Sequence, residues 1–246
     1  MELLGGIAGW FADPAHWQGP AGVPARIGEH FGLSVGALAI AAVIGLVAGI
    51  WVGHTGRGAT LTVNLANLGR ALPTFAVMGI VLPVTAAIDN QAGFKVYPAV
   101  IALVVLAIPP ILVNAYAGIR GVDPEIVEAG RATGMRERQV LWQVEVPLAL
   151  PVVLAGLRSA TSQIIATATL AAVFGGPGLG RLLVEGYAQR NYPMMWAGVI
   201  LVGVLFALAE VAFVVVGRFV TPAGVKTGSV LPSPDHRPGT LRSEAA

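Results

Sequence analysis

The sequence predicts an all-α polytopic membrane fold with about five transmembrane helices. Three observations carry that prediction. The 246 residues are 55% hydrophobic and only 11% charged, with a mean hydropathy of +0.75, where soluble domains carry about 25% charged residues. Apolar runs recur at roughly the 20-residue length that spans a bilayer. A charged, glycine-punctuated stretch interrupts them once, between the third and fourth runs.

Taken in order, the predicted spans are Phe31–Gly53, Leu61–Ala86, Tyr97–Gly118, Leu148–Phe174 and Met194–Gly217. Turn-forming clusters separate them: His54-Thr-Gly-Arg-Gly58, Asp89-Asn90-Gln91 and Gly175-Gly-Pro-Gly-Leu-Gly180. The second span is the most interrupted, by Asn64, Asn67, Arg70 and Pro73. Pro73 and Pro83 are candidate kinks there, and Pro109-Pro110 should kink the third span, because proline lacks the backbone donor. The organisation expected is an extracytoplasmic N-terminal segment over 1–30, one membrane domain over 31–221 and a disordered cytoplasmic tail over 222–246. The N-terminal segment lacks a basic start and breaks at Asp13-Pro14, so it does not read as a signal peptide. Its Trp10, Phe11 and Trp17 suit a membrane interface. The tail from Pro222 is rich in proline and has no periodic apolar face.

Charge orients the chain. One set of loops and ends holds Arg57, Arg120, Arg131, Arg136, Arg138, Arg218, Lys226, Arg237 and Arg242. The other holds only Arg26, Lys95, Arg181 and Arg190. Positive residues favour the cytoplasm. The N-terminus is therefore expected outside the cell membrane, and the C-terminus and the charged stretch inside.

That stretch, Glu128-Ala129-Gly130-Arg131-Ala132-Thr133-Gly134, then Val144-Glu145-Val146-Pro147 nine residues on, reads as helix, turn and helix. Gly134 suits the left-handed end of the first helix and Pro147 the first turn of the next. Glu128 suits a first helical turn and can pair with a cation on a partner. Ala129 and Gly130 lack bulk, which allows close approach. No Gly-x-x-x-x-Gly-Lys-Ser/Thr phosphate loop is present, so any ATP-driven motion would have to arrive from another chain.

Polar residues inside spans are costly and tend to face a bundle interior or a wet path. Asn64, Asn67, Arg70 and Thr74 would share about 120° of an ideal helix, and Arg158, Ser162 and Thr169 about 40°, with Ser159, Gln163 and Thr167 adjacent. These faces either line a pathway or hydrogen-bond between helices. Glu210 lies about 12 Å from the cytoplasmic end of its span and Arg158 about 16 Å from the same side, so Glu210 should pair with Arg158 or Arg70. With few aromatic residues in the spans, no cage for a quaternary ammonium is expected. No cysteine is present and His16, His30, His54 and His236 are scattered. Thiol chemistry is therefore excluded and neither a metal site nor a catalytic centre is expected.

The charged stretch resembles the EAA loop of ABC-importer permeases: Glu128, Ala129, Gly134 and Pro147 match in identity and spacing, with Gly130, Val144 and Val146 as small or apolar replacements. Four further stretches, Asn67–Ala76, Ile108–Ile119, Val146–Pro151 and Ala168–Gly180, resemble permeases for glycine betaine, choline and related osmoprotectants. Pro177 departs from the glycine expected there, and Leu72-Pro73-Thr74 lacks the usual Gln-Thr start. The resemblance covers Phe31 to Pro222 and implies the type I importer permease fold. It also implies a non-catalytic subunit working with a second permease chain, identical or sibling, an external substrate-binding protein, and a dimer of cytoplasmic ATPases that holds ATP and Mg. Glu128, Ala129, Gly130, Gly134, Val144, Val146 and Pro147 are the implied ATPase-coupling residues. Asn67, Arg70, Thr74, Arg158, Ser162, Gln163 and Thr169 are candidates to line the pathway. An ABC permease for another small solute, such as an amino acid, is the alternative. A secondary transporter would show inverted repeats and more intramembrane carboxylates than Glu210.

Overall fold

The computed structural model describes residues 2–89 and 91–220, and all regular structure there is helical. A short helix α1 (Glu2–Ala12) and a 3-10 turn (Pro14–Trp17) precede α2 (Val23–Thr55), which starts eight residues before the predicted first span. The helices α3 (Ala59–Ala71) and α4 (Thr74–Ile88) follow, then α5 (Ala92–Lys95) and α6 (Tyr97–Arg120). The chain then forms α7 (Pro124–Ala132) and α8 (Glu137–Val140), a π-helical turn (Leu141–Glu145) and α9 (Val146–Thr167). A 3-10 segment (Ala168–Phe174), α10 (Gly180–Ala188) and α11 (Tyr192–Val220) complete it. The tail expected to be disordered lies outside the described residues.

Among the described residues, four continuous helical stretches are long and apolar enough to cross a membrane: Val23–Thr55, Ala92–Arg120, Glu137–Phe174 and Tyr192–Val220. The predicted second span is not straight. It breaks between α3 and α4 with an 89° bend, at Leu72-Pro73, where proline restricts the residue before it and stands as the N-cap of α4. The bend separates Asn64 and Asn67 on α3 from Thr74 on α4, so their expected common stripe does not form. Pro83, Pro109 and Pro110 lie inside helices that continue through them.

The centre of the fold is α6, packed between α2 and α9. Between lipid-facing helices apolar burial contributes little, because lipid tails are as apolar as leucine, and close approach through small residues takes over. Here α2 presents Ala37, Ala41, Gly45, Gly49 and Gly53, one every fourth residue, all buried. A Cβ on Gly49 would stand 2.6 Å from both the Cβ of Ala115 and the carbonyl oxygen of Leu112, and one on Gly53 2.7 Å from the Cβ of Ile119. The α6 side of that seam is Ala107, Ile111, Ala115 and Ile119. On the opposite side, Gly156 of α9 brings that helix against Asn114 and the carbonyl oxygen of Pro110. By contrast α11 fully buries only Ala197 and Gly198, leaving its apolar faces for lipid or another chain. At the N-terminus Trp10 stacks on His16 with ring centroids 4.2 Å apart, and α1 rests on α11.

Candidate functional site: a helical hairpin and a polar cavity

The hairpin begins at Asp123, whose side chain accepts from the Glu125 amide at 2.9 Å, with Pro124 in the first turn of α7. Those two features start a helix for local reasons alone. Gly134 ends it at φ +84°. The Met135 amide donates to the Gly130 carbonyl at 3.3 Å and the Gly134 amide to that of Arg131 at 2.9 Å, the paired bonds of a Schellman motif, in which the left-handed residue is best a glycine. The return limb starts where Gln139 Oε1 accepts from the Arg136 amide at 2.9 Å. It then runs without interruption into the span, a difference from the separate helix expected to open at Pro147. The wide π turn absorbs the junction, its closing bond running from the Val146 amide to the Leu141 carbonyl, and Pro147 sits where its missing donor is harmless.

The residues expected to couple to an ATPase take distinct positions. Glu128, Ala129 and Gly134 are exposed, whereas Gly130, Val144, Val146 and Pro147 are half-buried. Gly130 faces inward: a Cβ there would meet Met135 Sδ at 3.4 Å and Val144 Cγ2 at 3.7 Å. It therefore packs the two limbs together rather than clearing space for a partner, as the sequence suggested. Val122, Val127 and Val140, with Met135 and Leu148, form the small core beneath.

A chain of polar contacts fastens the hairpin to the end of α2. Arg131 on the first limb grips Glu137 on the second with Nε and Nη2 at 2.9 and 3.0 Å, a bidentate geometry. Glu137 holds the Arg131 guanidinium above its ordinary range by that hydrogen bond. Nε2 of His54 lies 3.7 Å from Glu137. His54 Nδ1 donates to Glu145 Oε2 at 2.6 Å, and the Glu145 side chain is only 7% exposed. The small-residue seam places His54, one residue beyond Gly53, at this junction. A cleft of about 190 Å³ lined by His54, Arg120, Glu128, Arg131 and Glu145 opens beside it. The His54–Glu145 contact was not legible in the sequence. The residues are 91 positions apart, and a carboxylate just before a span ordinarily reads as solvated.

The second polar region lies between α9 and α11. Arg158 Nε donates to Glu210 Oε2 at 2.5 Å and Ser162 Oγ to Glu210 Oε1 at 2.7 Å. Gln163 donates to Ser159 Oγ at 3.2 Å. Arg158, Ser159, Ser162 and Glu210 line a cavity of about 610 Å³ together with Phe206 and Phe213. Gln163 touches this group only through Ser159, and three other pathway candidates do not join it. Thr169 lies in the 3-10 segment, where the angular count of an α-helix no longer holds, and its hydroxyl returns to the Ala166 carbonyl at 2.8 Å. Asn67 and Thr74 belong to the bent α3–α4 pair, and the side chain of Arg70 lies outside the described residues. The two phenylalanines were overlooked in the sequence although the signal was present. Phe206, Glu210 and Phe213 stand at i, i+4 and i+7, one face of a helix.

Residues 41–223 match the family model described as binding-protein-dependent transport system inner membrane component. The chain is 30% identical over 201 residues to the glycine betaine/carnitine/choline transport system permease protein of Bacillus subtilis, covering 82% of this chain and 89% of that one. It is 31% identical to the choline transport system permease protein of the same organism (80% and 88% covered) and 31% identical to the osmoprotectant import permease protein of Salmonella typhimurium (80% and 91% covered). Among solved structures it resembles a chain of the inward-facing MetNI methionine ABC transporter, with a TM-score of 0.70 at 24% identity over 79% of this chain and 94% of that one, a likeness of fold. The chain is a multi-pass membrane protein and belongs to the family of binding-protein-dependent transport system inner membrane components.

Proposed function

We propose that this chain is the permease subunit of an ATP-driven importer for osmoprotectants of the glycine betaine, choline and carnitine class. It would work with a second permease chain, an external binding protein and two cytoplasmic ATPases that hold ATP and Mg. The observation that carries the reading is the extent of the likeness to permeases so named, which spans the hairpin and both sides of it. The hairpin's construction supports the coupling role. It is a short two-limbed projection with Glu128 and Ala129 exposed, suited to lie in a groove of a soluble partner, and it is tied through Glu145 and His54 to the packed helices. Loop charge supports placing it on the cytoplasmic side.

The test is uptake by vesicles holding the assembled complex, with the binding protein supplied outside. Glycine betaine or choline should be accumulated and should raise ATP hydrolysis. Stimulation by an amino acid alone would overturn the solute assignment in favour of the alternative importer. Orientation is tested with single cysteines in this cysteine-free chain. An impermeant reagent should label one at Ala92 from outside intact cells and leave one at Ala132 untouched; the reverse pattern would invert the topology.

A further inference from the structure

The Arg158–Glu210 pair has properties that do not suit a purely structural bridge. Charges inside a span ordinarily face a bundle interior or a water-filled cavity and mark pathways. Here Arg158 remains 49% exposed and Glu210 22% exposed while they touch, so both groups stay accessible as a pair. They line the cavity of about 610 Å³, within the range that holds small organic ligands. Its lining divides by chemistry. Arg158 and the hydroxyls of Ser159 and Ser162 supply donors, Glu210 supplies a carboxylate, and Phe206 and Phe213 flank Glu210 on the same helix. An aromatic face attracts a cation, and quaternary ammonium is the ion for which such faces are most used. The sequence led to no expectation of an aromatic cage in the spans, and the two rings here stand beside Glu210.

We infer that this cavity is a transit site for zwitterionic quaternary amines, which bind by exchanging partners with the Arg158–Glu210 pair. The ammonium lies against Glu210 and the two phenylalanine rings, and the carboxylate takes the guanidinium of Arg158. With no solute the two side chains satisfy each other, so neither charge is left unpaired in the membrane, where that would be costly. With a zwitterion inserted the same number of opposite charges remains matched. Binding is then nearly balanced, as passage requires: enough attraction to enter, not enough to trap. A solute with the ammonium but no carboxylate, such as choline, meets only half the site and leaves Arg158 to be satisfied by the serines and water. The inference rests on the proposed solute class and assigns a second point of selection within the permease, beyond the binding protein.

The experiment compares uptake of glycine betaine and choline by the assembled complex in vesicles, each at saturating loaded binding protein and expressed per complex. Arg158→Gln should lower glycine betaine uptake about tenfold relative to choline, the scale of one charge-assisted hydrogen bond, with Arg158→Lys retaining most of the preference. Phe206→Leu and Phe213→Leu keep apolar bulk but remove the ring, and should lower uptake of both solutes about fivefold. Thermal unfolding of each variant separates this from loss of fold, because a merely structural bridge would lower both solutes by the same factor in step with stability. An unchanged ratio in Arg158→Gln together with undiminished uptake in both leucine variants overturns the transit site. Failure of the native complex to carry either solute overturns the proposed function itself, a result distinct from a native complex that carries both with no change in ratio.

Discussion

Two of the clusters among the described residues join a carboxylate to a basic side chain in opposite settings. At the hairpin, Glu145 is 7% exposed and His54 16%, joined at the end of the most tightly packed helix seam. Between α9 and α11, Glu210 and Arg158 meet along a cavity, on a helix that buries only two small residues fully. The first arrangement fixes a position. An imidazole–carboxylate hydrogen bond sealed among packed groups cannot rearrange cheaply, because separating the partners strands a carboxylate away from water. The second arrangement can be entered, since each group remains accessible. Burial, rather than residue type, distinguishes a fastening from a candidate binding site here.

The largest effect on stability should follow from breaking the fastening. His54→Ala leaves Glu145 buried without the imidazole and should cost about 3 kcal/mol, read as a lowered unfolding midpoint in detergent. His54→Asn, whose amide can replace Nδ1–H, should recover most of it, and His54→Leu with Glu145→Met should recover more than His54→Ala retains. Equal losses in all three would mean that packing around His54 matters and its hydrogen bond does not. Gly49→Val tests the seam that holds His54 in place. The new Cβ has backbone on one side and Ala115 on the other, so overpacking should cost about 2 kcal/mol, and a normal midpoint would show that α2 and α6 can move apart freely.

The open pair should behave differently. Arg158→Gln and Glu210→Gln should each lower the midpoint less than His54→Ala, and their double variant should lose less than the two single losses combined. Strict additivity would contradict the pairing. The smallest effect should be a gain. Gly130 is helical and a Cβ there meets its neighbours at ordinary contact distances, so Gly130→Ala should stabilise the hairpin by about 0.7 kcal/mol. A loss would mean that the limbs cannot accept even a methyl group.

These contrasts also mark what the sequence could and could not convey. Long apolar runs and loop charges give membrane helices and their order directly, because bilayer thickness sets the length. The Gly134 turn was legible because the left-handed conformation has a residue signature. The bend at Leu72-Pro73 was visible only as a proline, since whether a chain kinks or reverses there depends on what packs against it. The stripe from Ala37 to Gly53 was present in the sequence as small residues at every fourth position, but its partner on α6 appears only when the helices are placed together. Partnerships across helices are set by packing: Glu210 and Arg158 could be anticipated because a lone intramembrane carboxylate needs a cation, whereas Glu145 sits near a boundary where water would have served.

The most direct test of the central claim, that the hairpin joins this permease to its ATPases, uses Glu128→Lys and Gly134→Leu in the assembled, vesicle-reconstituted complex. Solute uptake and ATP hydrolysis are measured together, with the solute-loaded binding protein outside. Both variants should insert, Glu128→Lys with a normal unfolding midpoint to within about 1 kcal/mol and Gly134→Leu with a loss of roughly 1–2 kcal/mol for its left-handed backbone, and both should lose at least about tenfold in solute accumulated per ATP hydrolysed, beyond what that loss of stability explains. Native coupling in both would contradict the account and remove the hairpin from the path between the ATPases and the membrane helices.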